Sequence, residues 1–223
     1  MKNIEKSIVT ITSSNVLLTG ELVVPSNNLG LVVFSHGSGS GRFSPRNRFV
    51  AESLQQKGFA TFLVDLLTEE EDFYQQNRFD VSLLTVRLLD VVRYFSIKHE
   101  TVFDRIGLFG ASTGAASALR TAAILGKHVF AVVGRGGRPD LAWDSLELVE
   151  CPTMMIVGGA DKQVVELNKR AMMLFHCEKE LHIVPGATHL FEEPGALEEV
   201  ARVSSDWFST HVHSHHYEYD VSR

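Results

Sequence analysis

Cysteine is nearly absent: the 223 residues hold two, Cys151 and Cys177. They form no C-x-x-C pair and no metal-ligand spacing, so a disulfide framework and a zinc module are both excluded, and two thiols in a reducing compartment remain. No apolar run reaches the roughly 18 residues that a membrane span needs, and "MKNIEKSIVTITSS" has no continuous apolar segment of signal-peptide length. A cytoplasmic location is the resulting expectation. Basic excess is also missing. With a formal charge of -6 and a pI near 5.9, nothing in the electrostatics favours nucleic acid or an anionic membrane as partner. There is no internal repeat and no long linker.

What is present is average for a soluble globular chain: 44% hydrophobic and 22% charged residues. That length and composition predict one well-buried domain over residues 1–210. The tail 211–223, "HVHSHHYEYDVSR", has clustered histidines without apolar periodicity and is expected to be a solvated or frayed end rather than a metal site.

The opening reads as a hairpin, Ile8 to Thr12 and Val16 to Val24, turning near "SSN" and stopped by Pro25. Six short apolar runs follow: "LGLVVFSHG", "FATFLVDL", "RIGLFGAS", "VFAVVGRGG", "PTMMIVGGAD" and "ELHIVPGATH". Continuous apolar runs that end in glycine or polar residues mark strands buried on both faces, hence a parallel sheet. Helical patterns alternate with them. Ser44 and Pro45 start a helix that closes near Gly58, and further helices fit 83–97, 115–125, 164–175 and 197–208. The alternation predicts an α/β doubly wound sheet with helices on both faces. The acidic run Glu69 to Asp72 reads as solvated loop, and Met154, Met155, Met172 and Met173 as core filler.

Gly110, Ser112 and Gly114 form G-x-S-x-G at a strand-to-helix junction. A sharp turn there lifts the serine hydroxyl clear of the sheet, and glycines remove side chains that would clash in the bend. The next N–H, that of Thr113, falls at a helix N-terminus, where negative charge is favoured. A serine hydroxyl needs a base, and the base an orienting acid. In chain order, Asp161 follows one predicted strand and His189 the next, so all three lie beyond the carboxyl ends of strands. Asp161 could instead cap the following helix, with Asp140 as substitute acid. His176 and His182 rival His189, but one ends a helical segment and the other lies inside a strand. Ser38, in the glycine- and serine-rich loop after "VVFSHG", is the candidate second oxyanion donor beside Thr113. Arg42, Arg46, Arg48, Arg135 and Arg138 fall in two loops near the same edge, where arginines steer a carboxylate or phosphate, unless acids such as Asp140 or Glu52 pair with them.

The segments "FSHGSGS", "GASTG", "GGADKQV" and "PGATHLF", in this order over nearly the whole chain, resemble an α/β-hydrolase, most closely its dienelactone-hydrolase-like branch. The resemblance implies an eight-stranded, mostly parallel sheet with an antiparallel start, and nucleophile, acid and base at Ser112, Asp161 and His189. Dienelactone hydrolases proper use a cysteine nucleophile where this chain has Ser112, a departure that leaves lactone specificity open and keeps ester hydrolysis. The short segment from Arg135 to Cys151 leaves no room for a large lid. The sequence thus predicts a carboxylesterase-like hydrolase of a small-molecule ester or thioester, needing no metal or other cofactor. A ligand-binding homologue without catalysis, and an acyltransferase or lactonase using the same residues, are the alternatives.

Overall fold

The protein is described by a computed structural model covering residues 4–98 and 103–213. Eight strands form one sheet in the order β1-β2-β4-β3-β5-β6-β7-β8. Strands β1 (Ile4–Ser13) and β2 (Val16–Pro25) are the expected hairpin, turning through Ser14 at φ 52°. Strand β2 runs antiparallel to β4 (Ala60–Val64), and every later pairing is parallel. The strands β3 (Leu31–Ser35), β5 (Ile106–Ala111), β6 (Val129–Arg135) and β7 (Thr153–Gly158) are buried at every residue. This is what their unbroken apolar runs require, because helices cover both faces. The edge strand β8 (Lys179–Val184) is mostly open to solvent.

Helices α1 (Pro45–Lys57) and α7 (Ala196–His211) cover one face, and α4 (Val81–Lys98) and α5 (Thr113–Leu125) the other. Under α1 and α7, Phe34 and Phe109 meet tilted at 4.8 Å between centroids, and Phe130 meets Phe208 edge-on at 5.7 Å. Each such ring contributes about 1.5–3 kcal/mol on burial. Helix α1 begins where the sequence places it: Ser44 accepts from the Asn47 N–H, Pro45 fills the first turn, and Gly58 takes the left-handed cap at φ 99°. Helix α6 (Lys162–Met172) links β7 to β8.

Three local expectations change. The acidic run is not a solvated loop: Glu69–Phe73 is a short helix, α2, closed by a capping box from Thr68 and followed by α3 (Gln75–Phe79). Glu71 also pairs at 2.7 Å with buried Arg87, whose other nitrogen donates to the Ser13 carbonyl, pinning α4 to the β1–β2 hairpin. Met154 and Met155 are core, but Met173 is 74% exposed. Finally, α7 runs to His211, which packs against Trp207 at 4.3 Å, and Val212 is buried, so the domain ends later than residue 210. The rest of the histidine-rich tail, from residue 214, lies outside the described residues. Among the described residues no helix is long and apolar enough to cross a membrane.

Candidate active site

Strand β5 ends at Ala111 and α5 starts at Thr113, leaving Ser112 alone to turn the chain at φ 51° and ψ -117°. A non-glycine residue there stores about 1–3 kcal/mol of backbone strain. The surroundings hold it in place. The Ser112 N–H donates to the Arg135 carbonyl at 3.0 Å, and the Ser112 carbonyl accepts from Ala115 at 3.1 Å and Arg138 at 3.2 Å. The flanking glycines are a matter of contact: a Cβ on Gly110 would lie 2.5 Å from the Ala115 Cα, and one on Gly114 only 2.2 Å from the Ser35 carbonyl oxygen. Ser112 itself is partly exposed.

Asp161 stands after β7, and its two oxygens divide the roles between which the sequence could not choose. One accepts from the Val164 N–H at 3.4 Å, capping α6, and the other holds His189 Nδ1 at 2.8 Å. A carboxylate at Nδ1 keeps the proton on that nitrogen and leaves Nε2 as acceptor. His189 sits in the loop after β8, its ring against Gly136, where a Cβ would be 3.3 Å from Cε1. Gly136 follows Arg135, whose carbonyl takes the Ser112 N–H, so imidazole and hydroxyl share one rim of the sheet. The rivals have other partners: Asp140 is held by Arg138 at 2.7 Å, and His182 lies 3.0 Å from Glu199 on the edge strand.

The loop after β3 closes the site from the other side. Gly37 is so close that a Cβ on it would be 3.1 Å from the Ser112 Cβ. The Ser38 N–H does not point into empty space. It donates to Thr113 Oγ1 at 3.0 Å, and Thr113 is 2% exposed. His36, whose ring the sequence reading left without a role, organises this loop. Its Nε2 accepts from the Leu66 N–H at 3.2 Å, so the proton is on Nδ1, which donates to the Gly37 carbonyl at 3.1 Å. Burial holds its pKa below the usual value, keeping the ring neutral. Because the carbonyl and the following N–H of a peptide point in opposite directions, fixing the Gly37 oxygen also fixes the Ser38 N–H.

The five arginines separate once their partners are known. Arg42 is committed to Asp65 and stacks on Phe43 at 4.3 Å, Arg48 reaches Glu21 at 3.4 Å, and Arg138 is taken by Asp140. Arg46 has a loose partner, Glu192, at 3.5 Å. Arg135 is 8% exposed and has no carboxylate: Nη2 donates to Asn47 at 3.3 Å, and Nη1 has no hydrogen-bond partner among the described residues. Both cysteines are free, Cys151 being pushed up to about 12 by burial, too high to act as a thiolate. No group of His, Cys, Asp and Glu among the described residues is placed to hold a metal ion.

A mostly parallel sheet with helices on both faces, an antiparallel start and a serine elbow after its fifth strand is the fold of the α/β hydrolases. Within that class the chain belongs to the dienelactone hydrolase family, whose model matches residues 18–212. A dienelactone hydrolase structure from Anabaena variabilis ATCC 29413 is 46% identical, with a TM-score of 0.89 over 93% of this chain and 98% of that one. Est1E from Butyrivibrio proteoclasticus shares the fold at 17% identity, with a TM-score of 0.77 over 92% and 98% of the two chains. A Mycobacterium tuberculosis protein named putative phosphoribosyl transferase is 52% identical over 92% of this chain, which spans only 46% of that protein. Family and structural likeness together support an enzyme of the hydrolase kind.

Proposed function

We propose that the chain hydrolyses a carboxylic ester or thioester of a small acyl substrate through a covalent acyl-enzyme. The Ser112 hydroxyl attacks the carbonyl carbon while His189 Nε2 takes its proton, and Asp161 stabilises the imidazolium that forms. The oxyanion meets the Thr113 N–H, free at the first turn of α5, and the Ser38 N–H. The imidazolium returns the proton to the departing alcohol or thiol. Water, deprotonated by the same ring, then releases the acid and restores the serine.

The observation that carries this reading is the 2.8 Å Asp161–His189 bond, formed on the same rim as a serine in a strained elbow. A protein that only held a ligand needs neither the strain nor the oriented imidazole. The name of the mycobacterial relative describes a chain about twice this length, whereas a serine elbow and an imidazole oriented by Asp161 favour acyl transfer. A fluorophosphonate probe should label the wild type and leave Ser112→Ala unlabelled, with hydrolysis across a panel of esters, thioesters and lactones lost in step. Equal labelling of both proteins would refute the assignment.

A further inference from the structure

Arg135 poses a problem that the proposed chemistry leaves unsolved. Its guanidinium is buried, yet its only side-chain partner is the neutral Asn47, and Nη1 donates to nothing among the described residues. Burial and the neighbouring Arg46 push its pKa down to about 10, so the side chain stays charged at neutral pH. An unpaired buried charge is among the most expensive features a fold can retain, and it persists where a counter-charge arrives from outside. Here the counter-charge would arrive beside the reacting serine. Arg135 pairs in register with Ala111, one strand spacing of about 4.8 Å away, and receives the Ser112 N–H.

We infer that Arg135 and Arg46, at the N-terminal end of α1, form a binding site for a phosphate group carried by the substrate. This rests on the esterase reading and names the substrate class that reading leaves open. The choice of phosphate follows from charge. Arg46 adjoins Asn47, the residue that Arg135 donates to, and the carboxylate paired with Arg46, Glu192, is 66% exposed and 3.5 Å away. An arriving dianion displaces Glu192, occupies both guanidiniums and meets the positive end of α1, whereas a monoanion leaves one guanidinium uncompensated. The opposite side of the loop after β3 is unsuited to an anion: its cavity, of about 220 Å³, is lined by Asp65, Glu69 and Asp72.

The test compares phenyl acetate, 4-acetoxybenzoate and 4-acetoxyphenyl phosphate as substrates of the wild type, Arg135→Met and Arg46→Ala. Each charged substrate's kcat/KM is divided by that of phenyl acetate in the same protein, which cancels effects on the acyl chemistry. The phosphate ratio should fall roughly tenfold to a hundredfold in Arg135→Met and by a smaller factor in Arg46→Ala, as expected for lost hydrogen bonds to a charged group. Unchanged ratios would overturn the site, and a larger fall for the benzoate than for the phosphate would overturn the choice of phosphate. Inorganic phosphate supplies a readout free of catalysis: it should raise the Tm of the wild type and not of Arg135→Met, and an equal shift in both would also refute the site. If the wild type cleaves no phenyl acetate, the esterase reading fails, and the phosphate-dependent Tm decides the site alone. Arg46→Ala, at the surface, serves if Arg135→Met fails to fold.

Discussion

The bond between the Ser38 N–H and Thr113 Oγ1 makes the oxyanion site testable by one isosteric change, Thr113→Val. In the resting protein that N–H is satisfied at 3.0 Å by a side chain 2% exposed. If it serves the oxyanion, it must leave the hydroxyl as the tetrahedral intermediate forms, at a net loss of about 1 kcal/mol, set against the roughly 2.7–4 kcal/mol that one oxyanion donor supplies. Valine keeps the volume and removes the acceptor. The Ser38 N–H then loses that partner in the resting state, and because Ser38 is exposed and water replaces the hydroxyl, stability falls by about 0.5–1.5 kcal/mol, while the intermediate still satisfies it. Urea denaturation should show that loss, and kcat on an aryl acetate should hold or rise up to about fivefold. Thr113→Ser, which restores the hydroxyl, should behave as wild type in both assays. A tenfold or greater fall in kcat for valine, at intact fold, would refute the reasoning, because the hydroxyl itself would then be donating to the oxyanion.

Two further outcomes follow from the same loops. Gly114→Ala places a Cβ 2.2 Å from the Ser35 carbonyl and 2.6 Å from that of His36, so the loop after β3 must move; a stability loss of about 1–3 kcal/mol and loss of fluorophosphonate labelling are expected, and a wild-type melt would refute the contact argument. His36, held below its ordinary pKa of 6.5 by burial, stays neutral in the fold while the unfolded chain takes up a proton. Stability should therefore be flat above pH 6.5 and decline as pH falls below it, by at most about 1.4 kcal/mol per unit. His36→Gln should show a shallower decline in urea midpoints between pH 7.5 and 5, and identical slopes would sink the assignment.

Much of this protein is determined by its sequence alone. The parallel sheet was legible because strands buried on both faces carry unbroken apolar runs, and the elbow because Gly110 and Gly114 flank Ser112 at a change from strand to helix. The caps of α1 at Ser44, Pro45 and Gly58 are local chemistry, needing no distant contact. Helices α2 and α3 were missed because their polar surfaces carry little periodicity, and Glu71 becomes structural only through Arg87, sixteen residues on. What the tertiary structure decided were questions of partnership. That Asp161 both caps α6 and holds His189, that His36 fixes the peptide before Ser38, and that Thr113 occupies the Ser38 N–H all join residues from separate strands and loops. The arginines make the point most clearly. Five lie near one edge in sequence and look alike there; Arg138 pairs with Asp140 two residues on, but acids brought in by folding claim Arg42 and Arg48, leave Arg46 loosely paired and, among the described residues, give Arg135 none. A charge's role depends on what lies within a few ångströms of it, and local sequence does not contain that distance.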